Sequence, residues 1–246
     1  MVHASLRAVG TVAGGPDEVH LAIKDVITAE GSMLMYAGCA DGVDDVGRGH
    51  LTPREESEIL EKEPAFDPRV ARSSRSNGAL VEMFRTYPGS TVNDHVTRFV
   101  VWGRNAEYLI ERQPWNYAYG RDSVLGRFTE LNGKILLLGS DRDNVTYLHH
   151  AEHIADIPDR IVARYKVPVM ERGQRIWREM EEYDTGGVAH ASWPPNYFAR
   201  LVNDYLSTTR NEGGRVGDAH AVLMPAKGLL DHALADMTAR ARAAET

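Results

Sequence analysis

The chain has 246 residues, of which 35 are acidic and 28 basic, giving a formal net charge of −7. Because nucleic-acid binding depends on Lys and Arg neutralising phosphates, this balance argues against a nucleic-acid partner. A hydrophobic content of 43% and a charged content of 26% exclude a fibrous or disordered chain. The single cysteine, Cys39, excludes an internal disulfide and a cysteine-rich metal centre, and it predicts a reducing, cytoplasmic location.

Apolar runs are short, and short predicted elements alternate along the first half. The longest runs, such as residues 134–139, fall far below the roughly 20 residues that span a bilayer, which predicts no membrane partner. Glycine, proline and capping residues delimit the elements. The predicted elements are a strand at 1–6, a helix at Glu18–Ala29 with Leu21, Ile23 and Val26 in the core, a strand at Ser32–Tyr36, a helix near Pro53–Glu61, a helix at Gly78–Arg85, a strand at Val96–Trp102 and a helix at Ala106–Glu111.

The second half adds a central strand and a hairpin. Residues 134–138 are apolar at every position after Lys134, which is typical of a strand buried on both faces. The other predicted elements are helices capped by Ser123 and at Val145–Ala155, hairpin strands at Ile161–Met170 and Arg175–Tyr183, a helix at Asn196–Ser207, a strand at Val216–Met224 and a terminal helix at Ala226–Ala244. This mixture predicts an α/β layer fold. We expect one domain, residues 1–246, with an irregular, lid-like insertion at about 38–75.

Three histidines cluster after the central strand, in Thr146-Tyr147-Leu148-His149-His150-Ala151-Glu152-His153. On a helix, His149, Glu152 and His153 share one face. One hypothesis is a metal site of a hydrolase on His149 and His153, although a zinc-protease helix carries its glutamate directly after the first histidine. Another is that His149 is a general base oriented by a carboxylate. The third is that these histidines are structural.

Carboxylates and glycines supply two further candidate regions. In an extended chain Glu182 and Asp184 point to the same face, and a polyamine would relieve the repulsion between their charges. Asp41 and Asp67 add acid to the insertion. The opening loop, Ser5–Gly10, contains Arg7 and follows a strand, which indicates an anion site.

These motifs occur in an order that resembles the aminoglycoside 3-N-acetyltransferase family. The resemblance covers nearly the whole chain, and the Thr-x-Leu-His-x-Ala-Glu block at 146–152 is its most specific part. The other matching segments are residues 1–10 with Gly14-Gly15, Asn116–Gly120 with Ser123 and Arg127, Lys134–Gly139, Glu182–Thr185 and Gly213–Gly217.

The resemblance implies a three-layer α/β/α arrangement around a mixed sheet, unrelated to the common GNAT-type acetyltransferase fold. It implies transfer of acetyl from acetyl-coenzyme A to the 3-amino group of the deoxystreptamine ring, with no metal, in a monomer or homodimer. It also implies that the 3-amino group must lose a proton to His149, with Glu182 as the partner that orients the imidazole.

The resemblance assigns the remaining site residues in two groups. The implied coenzyme residues are His3, Ala4, Ser5, Leu6, Arg7, Val9, Gly10, Ser123 and Arg127. The implied antibiotic residues are Tyr36, Asp41, Asp67, His95, Tyr117, Glu152 and Asp184.

Three departures from the family pattern leave alternatives open. Val96 replaces a proline after His95, and Asp122-Ser123-Val124 replaces Gly-Ser-Pro. The chain also begins at what resembles the family's first strand, without the helix that usually precedes it. The alternatives are a relative that binds a polycation without acetylating it, an enzyme that acetylates a non-antibiotic amine, and the metal hydrolase.

Overall fold

The structure, a computed structural model, describes residues 1–39, 43, 46–47, 49, 51–184 and 193–244. Helices and strands alternate along these residues in a mixed α/β fold. The strands are β1 (Val2–Ala4), β2 (Ser32–Tyr36), β3 (Thr91–Val92), β4 (Phe99–Gly103), β5 (Lys134–Leu138), β6 (Val162–Glu171), β7 (Gln174–Tyr183), β8 (Gly214–Val216) and β9 (Ala219–Pro225). The helices are α1 (Leu6–Val9), α2 (Asp17–Ile27), α3 (Pro53–Lys62), α4 (Ala79–Thr86), α5 (Ala106–Ile110), α6 (Val124–Glu130), α7 (Tyr147–Ile154), α8 (Tyr197–Thr209) and α9 (Ala226–Ala244).

The predicted central strand is β5, which lies inside a mixed sheet of order β1-β5-β9-β8. β5 pairs in parallel with β1 and antiparallel with β9, so it is an interior strand, as its apolar sequence predicts. Successive side chains of β5 point to opposite faces. Ile135 and Leu137 pack with α6 to α9, whereas Leu136 and Leu138 pack with residues of α2, α4 and β2.

Two smaller antiparallel sheets complete the strands. β2, β4 and β3 form a three-stranded sheet, and β6 with β7 forms the predicted hairpin. The hairpin turn is Arg172-Gly173, with φ of 50° and 78°. Positive φ at both central residues is the geometry of a two-residue turn that matches strand twist.

One predicted core residue is wrong. Val26 on α2 is 84% exposed, and Lys24 is buried in its place. The inward face of α2 meets three aromatic rings, and the Lys24 Nζ lies 4.5 Å from the centroid of Tyr87 and 5.1 Å from that of Trp102. Aromatic faces attract an ammonium group, which allows this position to be charged.

The described part of the predicted insertion packs against the hairpin. Phe66 and Val169 form a β-bridge and lie in one core cluster. Arg98, fully buried at the start of the β4 region, donates hydrogen bonds to the carbonyls of Ala71 (2.8 Å), Pro68 (3.1 Å) and Asn93 (3.3 Å). One guanidinium therefore joins the insertion to the central part of the fold.

We expect Arg98→Met to lower the free energy of unfolding by about 3 kcal/mol, because buried carbonyls lose their donors. Denaturant unfolding measures this change. Arg104→Met is the control, since the Arg104 side chain forms an exposed ion pair with Glu30, and the change should cost less than about 1 kcal/mol. Equal stability of the two variants would contradict the anchoring role of Arg98.

Candidate active site

Helix α7 begins soon after the end of β5 and places His149 at the surface of a cleft. The Nδ1 of His149 lies 2.7 Å from Oε2 of Glu152, one helical turn away. A carboxylate only accepts hydrogen bonds, so Nδ1 carries the proton and Nε2 retains a lone pair. The His149 side chain is 32% exposed and Glu152 only 4%, so the carboxylate lies behind the ring. An imidazole held in this way can serve chemically as a general base.

Four segments of the described chain line the cleft, whose volume is about 650 Å³. The first is the opening segment, in which Ser5 caps α1 by accepting a hydrogen bond from the Ala8 amide at 3.3 Å. The second is the end of β2, the third is the turn before α4, and the fourth runs from the end of β5 to His149. Of the predicted residues, those on the cleft wall are His3, Ala4, Ser5, Leu6, Arg7, Tyr36 and His149.

Sequence reasoning missed two parts of the wall. Ser76, Asn77 and Gly78 line it from the turn before α4, and Asp141 and Asp143 line it after β5. The sequence signal for the turn before α4 is Gly78, a glycine at the start of a predicted helix. In the structure Gly78 is the N-cap of α4 with φ of 84°, a conformation that favours glycine. Tertiary packing brings this turn next to the opening segment, which is about 70 residues away in sequence. The spacing of residues in the sequence therefore could not predict that the turn lines the cleft.

The predicted pairing of His149 with Glu182 is wrong. Glu182 is buried and contacts His153 Nε2, while its other oxygen accepts a 2.7 Å hydrogen bond from the Ala118 amide. The Nδ1 of His153 donates to the His149 carbonyl at 2.7 Å. Glu152 lies three residues after His149 on α7, and this spacing brings Glu152, not Glu182, to the His149 ring. Glu182 therefore cross-links β7, α7 and the loop before α6.

The same contacts argue against the predicted metal alternative. Both ring nitrogens of His153 are engaged, and Nδ1 of His149 faces Glu152. Within the described part of the chain, no group of three His, Cys, Asp or Glu side chains is arranged to hold a metal ion.

Four predicted coenzyme residues lie away from the cleft wall. Val9 is in the core, and Gly10 has a φ of 87°, a backbone conformation that favours glycine. The Ser123 hydroxyl is buried, donates to the Gly120 carbonyl at 2.7 Å and caps α6. Arg127 donates to the Tyr108 carbonyl at 2.8 Å. Each has a local structural role.

Two predicted antibiotic residues are ion-paired or hydrogen-bonded elsewhere. Arg69 holds the Asp67 carboxyl at 2.6 Å, and this contact lowers the pKa of Asp67 to about 2. The Tyr117 hydroxyl donates to Glu181 at 3.1 Å. Neither residue lies on the cleft wall described above.

The other predicted antibiotic residues are buried or undescribed. Glu152 lies behind His149, and Asp184 is 2% exposed. Glu182 and Asp184 are both buried, consistent with the predicted shared face. His95 is 1% exposed and packs on Trp115, with 4.4 Å between ring centroids. Asp41 lies outside the described residues.

Two buried histidines make stability depend on pH. Burial lowers the pKa of His95 and of His150 to about 4. Between the ordinary histidine pKa, about 6.5, and pH 4 the unfolded chain binds protons that the folded chain does not, so acid destabilises the fold. We expect the free energy of unfolding to fall by up to about 1.4 kcal/mol per pH unit for each histidine in this window.

Denaturant unfolding between pH 7 and pH 4 checks this slope. His150→Gln keeps a side-chain donor for the Tyr119 carbonyl, which His150 Nδ1 contacts at 2.7 Å, and removes one titrating group. The variant should show a shallower slope. A slope equal to that of the wild type would show that His150 does not contribute.

None of the helices in the described ranges is both long and apolar enough to cross a bilayer.

Comparisons with known proteins agree in family and fold. Residues 1–238 match the family model described as aminoglycoside 3-N-acetyltransferase. Aminoglycoside N(3)-acetyltransferase III of Pseudomonas aeruginosa is 36% identical over 231 residues, covering 93% of this chain and 83% of that protein. Aminoglycoside N(3)-acetyltransferase VIII of Streptomyces fradiae is 34% identical over 232 residues, covering 92% and 80%.

Solved structures superimpose on nearly the whole chain. AAC-IIIb in a binary complex with CoASH has a TM-score of 0.85 at 36% identity, covering 97% of this chain and 89% of that one. AAC-VIa bound to sisomicin also has a TM-score of 0.85, at 32% identity and coverages of 97% and 90%. With a family match over 238 residues and relatives above 30% identity, the chain belongs to the aminoglycoside 3-N-acetyltransferase family.

Proposed function

We propose that this chain transfers acetyl from acetyl-coenzyme A to the 3-amino group of an aminoglycoside, with His149 as general base and Glu152 as its orienting partner. One observation carries the proposal: the Nδ1 of His149 is held by a buried carboxylate while the ring lines the cleft. Family membership supplies the reaction, and the relatives crystallised with CoASH and with sisomicin support the two substrates.

The chemistry requires a base because aminoglycoside amines are largely protonated near neutral pH. Nε2 of His149 takes one proton from the ammonium group, directly or through one water. The nitrogen lone pair then attacks the thioester carbonyl, a C–N bond forms, and the C–S bond breaks. Glu152 keeps the Nδ1 proton in place and stabilises the imidazolium. As the C–S bond breaks, the acetylated nitrogen loses a second proton to the departing sulfur, which leaves as the free thiol. The first proton passes from Nε2 to water, so the net reaction releases one proton.

The opening segment suits the coenzyme, which when bound supplies the acetyl group as a thioester. Arg7 is exposed on the cleft wall and forms no ion pair or hydrogen bond with the described residues, so its guanidinium is available to a phosphate. Burial lowers the pKa of His3 to about 3, and its Nε2 has no partner among the described residues. Because that nitrogen is itself buried, His3 contributes to the cleft wall as a neutral ring.

We expect Arg7→Ala to raise the Kd for coenzyme A about tenfold to a hundredfold, because a charge-assisted hydrogen bond is lost. Calorimetry at several salt concentrations measures the Kd, and the variant should show the weaker salt dependence. Arg54→Ala on α3, which removes an exposed ion pair with Glu58, is the control and should leave the Kd unchanged. An unaltered Kd in Arg7→Ala would remove Arg7 from the coenzyme site.

We also propose a three-layer α/β/α arrangement, distinct from the GNAT fold, within a single domain. Support comes from β5, whose alternate side chains pack into core clusters on opposite faces. The single Cys39 is consistent with a cytoplasmic location.

An acetyl-transfer assay over an aminoglycoside panel tests the proposed function. Thiol release from acetyl-coenzyme A gives the rate, and NMR of the product locates the acetyl group. We expect acetylation of the 3-amino group. Binding of coenzyme and antibiotic without thiol release would instead establish the non-catalytic alternative, and acetylation only of unrelated amines would overturn the substrate.

A further inference from the structure

Two aromatic rings from separate parts of the chain flank the His149 ring. Tyr119, in the loop before α6, lies 5.1 Å from it between centroids at an interplanar angle of 37°. Phe198, in the first turn of α8, lies 5.0 Å away at 65°. The imidazole therefore has an aromatic neighbour from each element, in addition to the Glu152 contact.

The Tyr119 ring is itself held on several sides. Its carbonyl accepts a hydrogen bond from His150 Nδ1 at 2.7 Å, and its hydroxyl lies 3.3 Å from that of Tyr36. The preceding residue, Ala118, donates to Glu182. Tyr119 also contacts the His153 ring, with 5.5 Å between centroids. The loop is thus fixed to α7, to β7 and to a residue of the cleft wall.

The Phe198 ring is fixed through the start of α8. The amide of Ala199, the next residue, donates to Asp143 at 3.0 Å, and Arg142 contacts Asn203 one turn later. Asp143 lies on the cleft wall in the segment that leads to His149. The position of Phe198 is therefore set by the segment that also carries the base.

The two flanking rings restrict the orientation of the His149 ring, which the single hydrogen bond to Glu152 does not fix. The Glu152 contact fixes Nδ1 but leaves the ring, 32% exposed, able to pivot about that atom. Rings packed against it restrict the pivot and set the direction of Nε2. We propose that Tyr119 and Phe198, here named the aromatic clamp, are positioning residues that fix the orientation of His149. This inference rests on the proposed function, because the orientation of His149 affects the rate only if His149 is the general base.

Kinetics of ring-removal variants test the clamp. Tyr119→Leu and Phe198→Leu should each lower kcat about tenfold to a hundredfold, because small errors in the placement of a base cost rate. KM for both substrates should stay within about threefold, since binding contacts are kept. Tyr119→Phe retains the ring, loses the hydroxyl contact with Tyr36, and should keep most of the rate.

Phe128→Leu is the matched control. Phe128 is 5% exposed and its ring packs on Tyr147, 5.5 Å away, so the change also removes a buried ring without touching His149. Its kcat per folded molecule should equal that of the wild type. The control separates a loss of positioning from a general loss of packing.

Side-chain ¹H–¹⁵N spectra of the histidines give a readout independent of turnover. His149→Asn identifies the His149 signals by their disappearance. The wild type should show one set with the proton on Nδ1, whereas Tyr119→Leu and Phe198→Leu should show exchange-broadened or mixed signals.

The proposal is overturned if both leucine variants match Phe128→Leu in kcat and keep single, sharp His149 signals. Failure of the wild type to transfer acetyl would instead overturn the proposed function. The spectra would then decide the clamp alone: sharp signals in the leucine variants would reject it, and broadened ones would support it.

Discussion

Replacing His149 by alanine should lower kcat by about 10² to 10⁴, the usual contribution of a general base, while the Kd for coenzyme A changes little. The reason is geometric, because His149 lies on the cleft wall and its Nε2 keeps a lone pair for the incoming proton. Steady-state kinetics and calorimetry on one preparation measure both quantities.

The exposure of His149 makes this variant a fair test of chemistry. His149 is 32% exposed, so alanine leaves no closed cavity, but it removes a partner of the buried Glu152 carboxylate. We therefore express kcat per folded molecule, with the folded fraction measured by denaturant unfolding. Full turnover in His149→Ala would show that another group takes the proton. A large loss of coenzyme affinity with unchanged kcat would place His149 in binding only.

Replacing Glu152 by glutamine should lower kcat by a similar factor, about 10² to 10⁴, because an amide can donate to Nδ1 and favour the wrong imidazole tautomer. Glu182→Gln should behave differently. Glu182 contacts His153 and the Ala118 amide, so its loss should lower the free energy of unfolding by about 3 kcal/mol and kcat by less than about tenfold.

Kinetics and denaturant unfolding of the two glutamine variants decide between the carboxylates. The predicted pattern is a catalytic defect for Glu152→Gln and a stability defect for Glu182→Gln. The reverse pattern would restore Glu182 as the partner of the base and would contradict the contacts at α7.

Much of the fold was predictable where a local pattern determines the structure. The bounds of Ser32–Tyr36, Lys134–Leu138 and the terminal helix Ala226–Ala244 agree with prediction, because apolar runs and helix-forming composition act locally. The core face of α2 was not predictable. Lys24 is buried because rings from α4 and β4, distant in sequence, surround its ammonium group.

The candidate site was predictable in its histidine and less so in its partner. Helical spacing places His149 and Glu152 on one face, whereas the resemblance implies Glu182 as the partner of His149. The distinction depends on how β7 meets α7, which no local pattern records. Ser123 shows a second limit, since a serine at the start of a predicted helix fits both a helix cap and the coenzyme role that the resemblance implies, and here its side chain caps α6.

A double-mutant cycle on His149 and Glu152 tests the central claim most directly. If the carboxylate acts only through the imidazole, kcat of the double variant His149→Ala/Glu152→Gln should equal that of His149→Ala alone, because residues that act as a unit are not additive. If the two losses multiply in the double variant, Glu152 acts independently of His149, and the oriented-base account is wrong.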